Sequence, residues 1–196
     1  ETAVCDVTNA DAVKQLFDDV AARHGRLDLL FNNAGVNQAA VTPDELSADD
    51  WRKVVGTNLD GAFYCLSNAF RIMRHQSPQG GRIINNGSIS AHTPRPCSIA
   101  YAASKSAITG LTRGAALDGR ALNIAVGQID IGNVASAMTE RMAAGVLQAD
   151  GSVRAEARMD MSGVASTFMA MVNLPLESNI FTVTVMATGM PYVGRG

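Results

Sequence analysis

Short apolar runs alternate along the chain with longer segments whose apolar residues recur every three or four positions. The runs predict strands of a buried parallel sheet, and the longer segments predict amphipathic helices. Strands are expected at residues 2–5, 27–31, 82–86, 122–127 and 180–186. Helices are expected between residues 8 and 25, at 47–73, at 98–117 and at Met161–Val172, whereas residues 132–160 show no clear strand periodicity. Thr8 with Asp11, and Ser47 with Asp50, have the spacing of helix-capping pairs.

The alternation of strands and helices predicts an α/β protein. Right-handed crossovers between consecutive strands produce a doubly wound parallel sheet with helices on both faces. The length and the absence of linkers or repeats predict a single domain over residues 1–196. Ligands of such sheets bind at the carboxyl ends of the strands, so the residues that follow each apolar run are the candidates for chemistry.

Composition narrows the classes of function. The formal net charge is only -2 and charged residues make up 17% of the chain, so neither a nucleic-acid nor a membrane partner is expected. No apolar run approaches the roughly 20 residues of a membrane span. The three cysteines are widely spaced, which favours a reducing cytoplasm over a disulfide framework. His24, His75 and His92 lack metal-ligand spacing, so no metal site is expected.

Tyr101 and Lys105 are four residues apart on a predicted helix and therefore lie on one face of it. An ammonium beside a phenol favours the phenolate, so this pair is suited to proton transfer with a lowered tyrosine pKa. Taken alone, the same spacing is also compatible with a structural coincidence.

Two polar residues accompany this pair. Ser88 ends a predicted strand, where its hydroxyl is placed either to hold a substrate oxygen or to form a turn or N-cap. Asn58 falls on the apolar stripe of the long predicted helix. A carboxamide there needs hydrogen-bond partners, either for a functional role or to fix a backbone kink.

Four segments together resemble the short-chain dehydrogenase/reductase family in order and spacing. They are Asn32-Asn33-Ala34-Gly35, Thr57-Asn58-Leu59-Asp60-Gly61, Ser88 thirteen residues before Tyr101, and Tyr101-Ala102-Ala103-Ser104-Lys105. The resemblance covers nearly the whole chain and implies a Rossmann-like fold that binds a dinucleotide. It also implies a hydride-transferring oxidoreductase that acts on a small-molecule ketone or secondary alcohol.

The resemblance assigns four catalytic roles. Tyr101 is expected to be the general acid or base, and Lys105 to lower its pKa and to bind the nicotinamide ribose. Ser88 is expected to position the carbonyl group. Asn58 is expected to hold a water molecule that connects Lys105 to solvent.

The implied cofactor is NAD or NADP, and the sequence does not distinguish between them. The residues expected to bind it are Asp6 beside the adenine, Asn32, Ala34, Gly35, Tyr101, Lys105, Gly127 and Ile129. After the fourth predicted strand the family usually has Pro-Gly and then a threonine, where this chain reads Val126-Gly127-Gln128-Ile129-Asp130-Ile131-Gly132-Asn133. Ile129 still offers its backbone to the carboxamide, and Asn133 is a candidate replacement for the lost hydroxyl.

The family's glycine-rich phosphate turn has no equivalent in these 196 residues. In the family's strand order, 3-2-1-4-5-6-7, the strands ending near Cys5 and Phe31 are not neighbours. We therefore expect roughly 40 to 50 further residues, carrying that turn, to precede Glu1 in the working protein.

Several features of the sequence are compatible with more than one interpretation. Met138, Met142, Val146 and Leu147 have helical spacing and suit either an apolar lid or packing against the domain or another subunit. The resemblance implies a homodimer or homotetramer that pairs through the two long helices. The alternative function is a non-catalytic dinucleotide-binding or regulatory relative, and an epimerase or dehydratase ranks third because a large C-terminal substrate domain is absent from this sequence.

Overall fold

The computed structural model describes residues 1–136 and 139–194, and of Arg141 the backbone alone. Its centre is a four-stranded sheet in the order β1-β2-β3-β6, in which every pairing is parallel. These strands are β1 (Leu29–Asn32), β2 (Gly81–Asn86), β3 (Ile124–Ile131) and β6 (Thr182–Val185). The remaining strands, β4 (Val146–Leu147) and β5 (Val153–Arg154), form a separate antiparallel hairpin.

Helices cover both faces of the sheet, so the expected α/β fold class is confirmed. Among the described residues, the α-helices are α1 (Ala10–His24), α2 (Ala48–Val55), α3 (Gly61–His75), α4 (Ile99–Gly119), α5 (Glu140–Ala144) and α6 (Met161–Val172). On one face, Ile83 and Val126 of the sheet pack with buried residues of α1, α3 and α4. On the other face, Ile84 and Ile129 pack against α6. The alternation follows from the two-residue period of a strand.

Local signals placed most helix ends correctly. The side chain of Ser47 accepts a hydrogen bond from the backbone N–H of Asp50, as its spacing predicted. Gly25 ends α1 in the left-handed conformation, with φ +71°. The cap of α1 is Asn9 rather than Thr8, because the Asn9 side chain accepts hydrogen bonds from the N–H groups of Asp11 and Ala12.

The long helix predicted over 47–73 is interrupted by a wider π-helical turn, Gly56–Asp60, between α2 and α3. Asn58 lies within this turn. Such turns often occur at functional sites.

The strand expected at residues 2–5 does not form. Residues 1–6 have no regular secondary structure, and Val4 is fully exposed. A strand needs a neighbour for its backbone N–H and C=O groups, and no described residue pairs with this segment.

The fourth predicted strand was placed too early, because β3 continues to Ile131 rather than ending at Gly127. Gln128 and Asp130 suggested a loop, yet both are buried inside the strand. The Gln128 side chain accepts from the Thr112 hydroxyl at 3.0 Å and donates to Asp130 Oδ1 at 2.7 Å. These hydrogen bonds satisfy both polar side chains within the sheet layer.

Candidate active site

A cavity of about 830 Å³ opens at the carboxyl ends of β1, β2 and β3. The turn after each strand contributes to its wall, together with the loop before α4, the first turns of α4, and α5 with the hairpin that follows it. Its lining residues include Ala34, Gly35, Asn86, Gly87, Ser88, Arg95, Tyr101, Lys105, Gly132, Asn133, Val134, Met142, Val146 and Leu147. The site is therefore at the edge of the sheet where the fold predicts it.

Ser88, Tyr101 and Lys105 lie together in this cavity. Ser88 follows β2 and begins a short 3₁₀ turn, Ile89–Ala91, where its hydroxyl accepts from the Ser90 N–H at 3.1 Å. The Ser88 hydroxyl is also close enough to Tyr101 to lower the pKa of its phenol. Lys105 Nζ donates to the Asn86 carbonyl at 2.7 Å and lies 5.7 Å from the centre of the Tyr101 ring. One cavity thus presents two hydroxyl groups and an ammonium to a ligand.

The pKa values of this pair differ from the expectation for a lowered tyrosine. Burial raises the pKa of Tyr101, and the nearby Ser88 hydroxyl and the charge of Arg95 lower it without reversing the direction. Burial lowers the pKa of Lys105 to about 8, against the opposing attraction of Asp130. Both shifts have the same cause, since burial disfavours the charged form of each group. Tyr101 is consequently protonated near neutral pH.

Asn58 does not line the cavity but forms hydrogen bonds between two of the elements that surround it. It is only 2% exposed. Its Oδ1 accepts from the Val36 N–H at 2.8 Å, and its Nδ2 donates to the Val36 carbonyl and to Ser104 Oγ. Asn58 therefore links the loop after β1 to α4, the helix that carries Tyr101.

Of the cofactor-binding residues expected in the first third of the chain, some line the cavity and others do not. Ala34 and Gly35 lie in the cavity wall. Asn32 lies behind it and donates to the Ala62 carbonyl and to Asn85 Oδ1. Asp6 lies outside it, exposed, where its carboxylate accepts from the Thr8 backbone and hydroxyl. Asn32 and Asp6 thus make structural hydrogen bonds in positions that do not reach the cavity.

Gly127 and Ile129, which the resemblance implies bind the cofactor, do not line the cavity. Both are interior positions of β3, where Gly127 pairs with Ile84 and Ile129 is wholly buried in the core. The cavity is reached five residues later by Gly132 and Val134, which repeat the same Gly-x-apolar spacing. The pairing of β2 with β3 accounts for this placement. Asn86, two residues before Ser88, pairs with Ile129, so the part of β3 that reaches the cavity lies beyond Ile129.

A buried ionic cluster beside the cavity was not predicted. Glu156 accepts hydrogen bonds from Arg95, from Asn133 Nδ2 at 2.6 Å and from Gln148 Nε2 at 3.0 Å. Burial favours a raised pKa for Glu156, but these hydrogen bonds and the Arg95 charge lower it to about 2. Asn133, expected to replace a missing hydroxyl, instead holds Arg95 and Glu156 together. No motif marks this cluster, since its members are up to 61 residues apart.

Apolar side chains cover another part of the cavity. Met142, Val146 and Leu147 line it, but they belong to α5 and β4 and not to one helix. The helical spacing of these residues therefore did not predict one continuous helix, and Met138 lies outside the described residues. This wall joins the ionic cluster through Gln148 and Glu156.

His92 does not contribute to the cavity wall, and its Nε2 lies 3.1 Å from Asp130 Oδ2. In the described part of the chain, no group of three or more histidine, cysteine or acidic side chains has the arrangement of a metal site. No helix among the described residues is long and apolar enough to cross a membrane. The three cysteines are free thiols.

The fold and the site define a Rossmann-like α/β protein with a serine, a tyrosine and a lysine in one crevice. The family model described as short chain dehydrogenase matches residues 1–146. The chain therefore belongs to the short-chain dehydrogenase/reductase family.

Individual relatives agree with this assignment. The chain is 34% identical over 166 residues to the 3beta-hydroxysteroid dehydrogenase of Mediterraneibacter gnavus, a match that covers 85% of this chain and 59% of that relative. Its fold is similar to NAD+-bound xylitol dehydrogenase, with TM-score 0.81, 28% identity, and coverage of 94% and 77% of the two chains. It is also similar to a metagenomic short-chain oxidoreductase in complex with NADP, with TM-score 0.76, 25% identity, and coverage of 94% and 72%.

Proposed function

We propose that the protein transfers hydride between a nicotinamide cofactor, NAD or NADP, and a small-molecule ketone or secondary alcohol. The observation that carries this proposal is the meeting of Ser88, Tyr101 and Lys105 in one cavity. The names of the similar proteins, a hydroxysteroid dehydrogenase and a xylitol dehydrogenase among them, support the same reaction class.

The cavity fits the nicotinamide end of such a cofactor. Ala34 and Gly35, whose side chains are small or absent, keep the wall after β1 low. Lys105 has three N–H donors, and the described hydrogen bond to Asn86 uses one of them. Ribose hydroxyl groups are suitable acceptors for its other donors, so Lys105 is placed to hold that sugar. Gly132 and Val134 supply the wall after β3.

The cofactor, when bound, would supply or accept the hydride, and side chains of the protein would donate or accept the proton. Tyr101 is protonated near neutral pH because burial raises its pKa, so it is suited to donate a proton to a carbonyl oxygen as the alcohol forms. Ser88, which lines the same cavity as Tyr101, is positioned to hold the same oxygen. Lys105, with its ammonium near the Tyr101 ring, stabilises the negative charge that develops on the phenol. Asn58 acts by fixing α4.

The cavity favours an uncharged substrate with apolar groups. Met142, Val146 and Leu147 offer apolar contacts, and the charge of Arg95 is neutralised by Glu156. The proposed partners are thus small carbonyl compounds or alcohols, with no nucleic acid or membrane. Exposed side chains on α2, α3 and α4, namely Trp51, Phe63 and Leu117, support a homodimer or homotetramer. Three free thiols support a cytoplasmic location.

Replacement of Tyr101 by Phe tests the proposed reaction. We expect carbonyl reduction to fall by about 10²- to 10⁴-fold, since the proton donor is lost, while cofactor affinity changes little. Stopped-flow or steady-state loss of NAD(P)H absorbance gives the rate, and cofactor fluorescence gives the affinity. Tyr64→Phe, a change outside the cavity, is the matched control and should retain full activity.

Retained turnover in the Tyr101→Phe protein would contradict the assigned proton donor. Cofactor binding without turnover of any ketone or alcohol by the unaltered protein would favour the non-catalytic alternative.

A further inference from the structure

A buried carboxylate lies behind the cavity. Asp130 is 0% exposed, although it belongs to β3, at the centre of the sheet. Its Oδ1 accepts from Gln128 Nε2 at 2.7 Å, and its Oδ2 lies 3.1 Å from His92 Nε2. A side-chain amide and an imidazole replace only part of the water around a carboxylate, so burial of Asp130 has a substantial cost unless a nearby cation compensates it.

Gly87 makes the space for this carboxylate. An ideal Cβ on Gly87 would lie only 2.0 Å from Asp130 Oδ1 and 2.6 Å from Gln128 Nε2. Any side chain at position 87 would therefore displace one or both groups. Gly87 stands between Asn86, whose carbonyl binds Lys105, and Ser88. The carboxylate thus lies directly behind the backbone that forms the floor of the cavity.

Lys105 is a buried amine held at the same stretch of backbone, since it binds the Asn86 carbonyl next to Gly87. The ammonium is buried, and burial by itself disfavours its charged form. The attraction of Asp130 opposes that effect. The titratable and charged groups around them are Tyr101 on the same helix, His92 after the 3₁₀ turn, and Arg95 in the loop before α4, which is paired with Glu156.

We propose that Asp130 is a positioning residue: it is the buried counter-charge that keeps Lys105 an ammonium beneath the substrate, with Gln128 and His92 holding the carboxylate in place. Its catalytic meaning rests on the proposed function, in which Lys105 stabilises charge on Tyr101. The Lys105 proton itself can be followed without any turnover. Failure of this inference and failure of the proposed function are therefore distinguishable.

The test is a proton titration of lysine side chains by NMR. The sequence has three lysines, so ¹³C-lysine-labelled protein gives three ε-carbon signals, and the exposed Lys14 and Lys53 serve as internal references. We expect the Lys105 signal to titrate near pH 8 in the unaltered protein. In Asp130→Asn, which keeps the side-chain size, we expect it to titrate about one pH unit lower.

Three further variants separate charge from structural damage. Asp118→Asn removes one negative charge from an exposed position of α4 and should leave the Lys105 titration unchanged. His92→Gln keeps an N–H donor near Asp130 and should also leave it unchanged. Asp130→Ser, smaller and neutral, replaces the Asn variant if that protein does not fold, and should give the same downward shift.

The proposal is overturned if Lys105 titrates at the same pH with and without the Asp130 carboxylate, or if Asp118→Asn shifts it equally. An unaltered protein without turnover would refute the proposed function and leave this titration as informative as before. Where carbonyl reduction is measurable, its decline at high pH should move down together with the Lys105 titration in Asp130→Asn.

Discussion

Replacement of Glu156 by Gln removes one charge from a buried cluster while keeping the shape of the side chain. The Glu156 side chain is 1% exposed and receives hydrogen bonds from Arg95, Asn133 and Gln148. The cluster joins the loop before α4 to the segment after β5, on either side of the cavity. In the variant, Arg95, whose side chain is 15% exposed, remains charged without its carboxylate.

The magnitude follows from the pKa of Glu156. Its ordinary value is 4.5, and hydrogen bonds with Arg95, Gln148 and Asn133 outweigh the opposing effect of burial and lower it to about 2. A depression of this size corresponds to about 3 kcal/mol of folding free energy. Because the folded-state pKa is the lower one, this stabilisation is complete above about pH 4.5 and is lost as the pH falls towards 2.

The assay is urea unfolding followed by far-UV circular dichroism, at several pH values between 7 and 2. We expect Glu156→Gln to be less stable than the unaltered protein by about 3 kcal/mol at pH 7. The difference should shrink as the pH falls, because protonated Glu156 resembles Gln. Glu177→Gln, a change of the same kind at an exposed position, should have little effect at any pH. A pH-independent difference between Glu156→Gln and the unaltered protein, or one below about 1 kcal/mol at pH 7, would show that the Glu156 charge does not stabilise the cluster.

Two further changes test how α4 is held. Asn58→Ala should destabilise the protein by about 3 kcal/mol, because it leaves the N–H and C=O of Val36 without their partner. A lower melting temperature, measured without cofactor and with no change in aggregation, checks this. Gln38→Met should cost only about 1 kcal/mol, because it removes an acceptor for the first N–H groups of α4 but also a buried Nε2 that has no partner among the described residues. Equal losses in the two variants, measured by the same urea titration, would contradict this ranking.

The sequence was most informative where adjacent residues determine the structure. The Ser47 cap, the left-handed Gly25 and the span of α6 were all predicted from neighbouring residues, because capping and helical periodicity act over a single turn. The spacing of Tyr101 and Lys105 likewise follows from one helix. Their meeting with Ser88 was predicted from the family resemblance and the shared carboxyl edge of the sheet.

The end of β3 shows where such reasoning stops. Gln128 and Asp130 are polar, and polarity along a chain usually indicates a loop. Their burial is possible only because Thr112 on α4 and His92 after the 3₁₀ turn bring hydrogen-bond partners from other elements. As a result, Gly127 and Ile129 lie within β3, and Gly132 and Val134 line the cavity beyond its end.

The α/β class, most helices and the serine, tyrosine and lysine of the candidate site can be predicted from the sequence, since short-range patterns and a spaced motif encode them. Which polar side chains are buried, such as the Arg95–Glu156 pair and the Asp130 carboxylate behind Gly87, depends on contacts that form only in the folded chain. The physical reason is that a buried charge is stable only beside its partners, and here those partners lie far away in the chain.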